Sequence, residues 1–200
     1  MRSFLIAIVA LGICSCAFRS GPYIDLRYPV YIVAEQSFWS GCEEDLASED
    51  ACRQSRIAQV RSGINQWFDP FEETDRPQAV ILDSKDKLPW RSVNEAIYLK
   101  IEKGNCGKDA RGKKKAGACY GRDNFFSPLY IVFESSIQIR PQVVAHEFGH
   151  ALGRDDNDVP EGTGSVMSYD TPTNVLLMDI KMMCRLHREC GMAKWSFRKL

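Results

Sequence analysis

Residues 146–156 read His-Glu-Phe-Gly-His-Ala-Leu-Gly-Arg-Asp-Asp. Two imidazoles four positions apart share one face of a helix, so both can reach a single metal ion. Glu147, beside the first of them, then points at water on that metal. Zinc held this way lowers the pKa of its water from 15.7 to about 7, which supplies a hydroxide-like nucleophile at neutral pH. The stretch therefore predicts a helix, a metal ion and hydrolysis.

A five-residue His-Glu-x-x-His pattern also arises by chance in unrelated helices, so its surroundings decide its weight. Gly153 stands where the helix must break if the chain is to bend under the metal. Asp156 stands where the returning chain can supply a third ligand. Carboxylate oxygen binds zinc at about 2.0–2.2 Å, so aspartate is chemically acceptable there. Asp155 and Asp158 are neighbours able to take that role if the loop is shifted. Ser165-Val166-Met167-Ser168-Tyr169 follows after a short loop. Without a metal, His146 and His150 would be a satisfied helix pair and Glu147 an ordinary exposed glutamate. His187, the only other histidine, sits among Arg185 and Arg188 and reads as a solvated surface residue.

These residues resemble the metzincin metalloproteases, whose extended motif His-Glu-x-x-His-x-x-Gly-x-x-His/Asp precedes a methionine-containing turn. The likeness covers residues 146 to 169 by motif and about 29 to 190 by element order. It implies that His146, His150 and Asp156 bind one catalytic zinc ion and that Glu147 is the general base. It implies that Met167 forms the hydrophobic floor of the site. Tyr169 is similar to the catalytic tyrosine that astacin-like and serralysin-like members keep near the metal. Most members have histidine where Asp156 stands, whereas the snapalysin-like ones have aspartate, an anionic ligand that tempers the metal's Lewis acidity. The implied fold is α/β (α+β) and zincin-like: a twisted mixed sheet of about four or five strands, an active-site helix, the methionine turn and a C-terminal helix. Substrate would lie along an edge strand within residues 116 to 127.

The remaining chain supplies matching elements. Val-Tyr-Ile-Val-Ala after Pro29 is β-branched and aromatic, and Ala79 to Leu82, Ala96 to Ile101 and Leu129 to Phe133 are similar strand candidates. Residues 49 to 68 carry Ala51, Ile57, Val60, Ile64 and Trp67 at helical spacing, and Pro70 stops that helix. Pro141 suits the first turn of the helix bearing the motif. Thr171-Pro172 is expected to open a last helix with Val175, Leu176, Ile180, Met183 and Leu186 inward. Lys113-Lys114-Lys115 reads as a solvated loop, and the tryptophans as core. No linker or repeat divides the chain, so residues 29–200 are expected to form one catalytic domain.

Lysine plus arginine equals aspartate plus glutamate, 26 each in 200 residues, so no global field recruits nucleic acid or anionic lipid. Arg2 followed by the apolar run Phe4 to Ile13 has the proportions of a signal peptide over residues 1–16. That run is shorter than the roughly 20 residues a spanning helix needs. Ile13-Cys14-Ser15-Cys16 resembles a bacterial lipobox, with Cys14 an unusual occupant and Cys16 the lipid acceptor. Ordinary signal cleavage, giving a freely secreted protein, is the competing reading. Residues 17–28 read as a spacer.

Six further cysteines (Cys42, Cys52, Cys106, Cys119, Cys184 and Cys190) read as disulfides in an exported chain. Pairing neighbours closes the shortest loops, and no Cys-x-x-Cys supports a zinc cluster. Asp155 to Glu161 is rich in oxygen donors for calcium, yet it lacks the order of an EF-hand loop and reads as a surface turn. The expected whole is a monomeric extracytoplasmic zinc endopeptidase acting on proteins or peptides, touching the membrane only through Cys16. The alternative is an exported zinc-binding lipoprotein that serves as a non-catalytic binding or adhesion module.

Overall fold

Five strands form one mixed sheet in this computed structural model: β1 (Val30–Ala34), β2 (Ala79–Leu82), β3 (Ile97–Ile101), β4 (Ala118–Gly121) and β5 (Leu129–Phe133). The described residues are 24–42, 46–89, 96–104, 106, 117–121, 128–156, 159–160, 162–168, 174–187 and 190. Spatial order is β2-β1-β3-β5-β4. All neighbours are parallel except β4, which runs antiparallel to β5 and lies at an edge. The inner strands VYIVA, IYLKI and LYIVF are nearly continuous apolar runs, as parallel strands covered on both faces require.

Alternation along these strands separates two packed layers. Ile32, Ile97, Leu99, Leu129, Ile131 and Phe133 face the helices and join the main core. Val33 and Tyr98, with Tyr31 and Tyr130 beside them, form a smaller cluster with Leu88 and Ala96. Ile24 and Leu26, within the segment read as a spacer, are also buried in the main core, so packing starts before residue 29. Residues 1–23, with the signal reading and Cys16, lie outside the described residues. Among the described residues, no helix is long and apolar enough to cross a membrane.

Helix α1 (Leu46–Phe68) buries Val60, Ile64, Trp67 and Phe68, whereas Ala51 is exposed. Arg56 extends the buried stripe in its place, because its guanidinium donates to the carbonyls of Phe38 and Ser40. Helix α2 (Pro141–Ala151) crosses α1 at close range. A Cβ on Gly63 would come within 2.6 Å of the Pro141 carbonyl oxygen and 2.7 Å of Val144 Cβ, so glycine is required there. Trp67 Nε1 donates to the Ala145 carbonyl at 2.8 Å and ties the two helices.

Helix α3 (Leu177–Leu186) starts later than the Thr171-Pro172 signal suggested, and those two residues lie outside the described set. Leu176 is its N-cap, and the Asp179 carboxylate accepts from the Leu176 amide at 2.8 Å, satisfying a terminal donor. Three disulfides join Cys42 to Cys52, Cys106 to Cys119 and Cys184 to Cys190, the neighbour pairing expected from the sequence.

Candidate metal centre

The end of α2 builds the site. The Arg154 amide donates to the Gly149 carbonyl and the Gly153 amide to the His150 carbonyl, both at 2.9 Å. That pair of bonds is a Schellman motif, and it needs a left-handed residue, which Gly153 supplies at φ 84°. The reversal carries Asp156 back across the helix. Its Oδ1 lies 3.1 Å from His146 Nε2 and 3.3 Å from His150 Nε2. The two imidazole rings stand nearly perpendicular, with centroids 4.9 Å apart.

The other ring nitrogens set the tautomer. His146 Nδ1 lies 2.8 Å from the Val166 carbonyl oxygen, and His150 Nδ1 lies 2.9 Å from that of Arg154. A carbonyl only accepts, so each Nδ1 carries hydrogen and each Nε2 is left to present a lone pair. Two lone pairs then face one carboxylate oxygen, an arrangement that a proton or a cation must hold together. With protons alone, burial pulls His150 downward most strongly. The hydrogen bond to Asp156 and the charges of Asp156 and Glu147 outweigh burial and push it up to about 9. His146 is raised as well: burial opposes, and Asp156 and Glu147 prevail.

A cation fits the same space. One ligand atom from each of His146, His150 and Asp156 lies within 4.8 Å of the others, so the group could hold a metal ion. For bonds of about 2.0–2.1 Å, neighbouring ligands in a tetrahedral shell lie about 3.3–3.4 Å apart. The observed 3.1 and 3.3 Å separations are close to that. The three side chains keep 15%, 20% and 15% of their surface exposed, while Asp156 Oδ1 itself is buried.

Asp155 is exposed and is not one of the three converging residues, while Asp158 lies outside the described residues. Most of the donors of the calcium reading, Asn157, Asp158 and Glu161 among them, are outside as well, as are Tyr169 and Lys113 to Lys115. Glu147 is only 6% exposed, unlike an ordinary surface helix glutamate. Met167 is fully buried beneath α2. A Cβ on Gly149 would lie 2.4 Å from Met167 Sδ and 2.7 Å from Trp67 Cζ2, so the helix rests directly on both.

His187 corrects the surface reading. It is buried, and its Nε2 donates to the Leu152 carbonyl at 3.1 Å. Leu186, expected inward, is 40% exposed. The buried face of α3 and its C-cap is Asp179, Ile180, Met183 and His187. Two polar groups thus occupy positions that apolar spacing assigned elsewhere, each matched by a buried partner.

The structure adds residues that the motif does not name. Tyr120 of β4 stacks on His150, with ring centroids 6.2 Å apart. Asp179 accepts from Ser165 Oγ, which in turn accepts from the Met167 amide at 3.0 Å. Nothing in the local sequence marks Asp179, because its Ser165 partner lies 14 residues away. No family model and no curated protein matches the chain.

Proposed function

We propose that the protein is a zinc-dependent endopeptidase of the metzincin type, cleaving peptide bonds of proteins outside the cytoplasm. The observation that carries this reading is the convergence of His146, His150 and Asp156, within 4.8 Å of one another, on the helix that bears Glu147. Zinc held there would polarise a scissile carbonyl and lower the pKa of water to about 7. Glu147, adjacent in sequence to His146, takes a proton from the attacking water and hands it to the leaving amine. Val166 and Arg154 hold the imidazoles in the tautomer that leaves Nε2 unprotonated. Met167 gives the site a water-free floor. Tyr169, two residues further on, donates a hydrogen bond to the carbonyl oxygen as negative charge develops there.

Substrate pairs with the outer side of β4, where no further strand is found among the described residues. Tyr120, beside His150, lines that approach. Three disulfides suit an oxidising compartment, in keeping with a signal peptide over residues 1–16 and a lipid anchor on Cys16. The enzyme acts as a monomer. A purely structural zinc site closes with four protein ligands, and three meet here among the described residues, which favours catalysis over a binding module.

Glu147→Gln tests the mechanism. It is expected to keep zinc at about one ion per chain by elemental analysis while cleavage of casein or a peptide library falls about 10²–10⁴-fold. Cleavage retained by that variant refutes Glu147 as the base. A zinc-loaded wild-type chain that cleaves nothing, with or without chelator, favours the non-catalytic binding module.

A further inference from the structure

We infer that Asp179 is a positioning residue for the metal centre, its buried carboxylate tying together the two backbone carbonyls that orient His146 and His150. This rests on the reading that those histidines and Asp156 bind a divalent metal ion. Asp179 is on α3, remote in sequence from every ligand, and none of its surface is exposed.

Two arms leave its carboxylate. The first runs to the turn at Met167. Ser165 Oγ lies 2.8 and 2.9 Å from the two carboxylate oxygens, its one proton shared between them. The same Oγ accepts from the Met167 amide at 3.0 Å. Val166, between those two residues, has its amide bound to the Asn174 carbonyl at 2.8 Å. Its own carbonyl, fixed from both sides, accepts from His146 Nδ1. The second arm runs to Arg154, whose Nη2 lies 3.6 Å from Asp179 Oδ1, with both side chains almost wholly buried. The Arg154 carbonyl accepts from His150 Nδ1.

One carboxylate therefore reaches the residues that support both imidazoles. The Leu176 amide, bound to Oδ2 at 2.8 Å, pins the carboxylate to the start of α3. A cap or a structural ion pair alone would account for the Leu176 and Arg154 contacts. It would not account for the serine that relays the carboxylate to the turn carrying the His146 support. Partners that orient metal-bound histidines typically change metal affinity by 10–100-fold when removed.

The test uses the intact chain and two probes, zinc affinity by chelator competition and the visible absorption of the cobalt-substituted protein. Asp179→Asn is expected to weaken zinc binding about 10–100-fold and to shift the cobalt bands, with far-ultraviolet circular dichroism unchanged. Asp179→Glu is expected to recover part of the affinity. Ser165→Ala, which cuts one arm and leaves no buried charge alone, is expected to move both readouts in the same direction by a smaller factor. A folded Asp179→Asn chain with wild-type affinity and cobalt spectrum overturns the positioning role. If Asp179→Asn does not fold, Ser165→Ala decides: unchanged readouts overturn the role, and a weakened, shifted site supports it. A wild-type chain that binds neither metal stoichiometrically overturns the metal reading itself, and this role with it.

Discussion

Helices α2 and α3 are similar in length, 11 and 10 residues, and each carries histidine in it or at its C-cap. In α2 each imidazole spends Nδ1 on a carbonyl and turns Nε2 to the Asp156 carboxylate, with part of the ring open to solvent. At the end of α3, His187 is buried and spends Nε2 on the Leu152 carbonyl. Leu152 is the C-cap of α2, and carbonyls at a helix end need partners from outside the helix. On the proposed reading the same side chain is a ligand in one helix and a strut in the other. What differs is whether Nε2 meets a carboxylate at a partly open group or a backbone carbonyl in the core.

The largest effect that separates the two roles is on metal content. His150→Ala is expected to drop zinc from about one ion per chain to near none and to reduce cleavage by more than the 100-fold typical of losing an outer partner. His187→Ala is expected to retain the ion. Elemental analysis of both purified variants reads this directly. Equal loss of zinc from the two would erase the distinction between ligand and strut.

Protonation sharpens the contrast next. Without metal, His150 is pushed up to about 9 from an ordinary 6.5, so its proton is held more tightly in the folded chain than in the unfolded one. That contribution to stability is complete below pH 6.5 and fades as pH rises through about 9. At about 1.36 kcal/mol per unit it amounts to at most roughly 3 kcal/mol, less whatever solvent screening removes at a partly open site. The zinc-loaded chain runs the other way, because deprotonated imidazoles bind metal better as pH rises. Thermal melts from pH 6 to 9.5, in chelator and in zinc, should therefore diverge. A metal-free chain that gains stability across this window contradicts the assignment.

The legible part of the fold was the part that repeats a local rule. Continuous apolar runs marked β1, β3 and β5, and Gly153 marked the end of α2 because only its backbone accepts φ 84° readily. Asp156 could be read as a ligand because the glycine turn sets how far the chain travels before it returns. The short strand β4 was legible only as an edge somewhere in 116 to 127, since ACYG carries little strand propensity and owes its pairing to β5. Arg56, Asp179 and His187 were not legible as buried. Each is polar, and each is buried by a partner 14 to 35 residues away in sequence. Spacing along one helix carries no information about such partners.

Packing beneath His146 and His150 should show a smaller effect. Gly149 lies between the two histidines, and an added Cβ would meet Met167 Sδ at 2.4 Å and Trp67 Cζ2 at 2.7 Å. Gly149→Ala is expected to cost about 1–3 kcal/mol by overpacking and to weaken zinc binding, because α2 must lift from its floor. Denaturant melts of the metal-free chain measure the first effect and chelator competition the second. Stability equal to wild type would mean that the contact between α2 and Met167 is slack.

The smallest effect lies at the end of α3, where two adjacent residues exchange their expected places. Leu186 is 40% exposed and His187 is 2% exposed. Leu186→Gln replaces an apolar side chain that is only partly buried, so stability should change by about 1 kcal/mol or less. His187→Ala leaves the Leu152 carbonyl without its donor and should cost about 1–3 kcal/mol. His187→Asn keeps a side-chain donor, and partial recovery with it would assign the cost to the hydrogen bond rather than to lost volume. If instead Leu186→Gln proves the costlier change, the apolar stripe read from the sequence faces inward after all, and His187 returns to the surface.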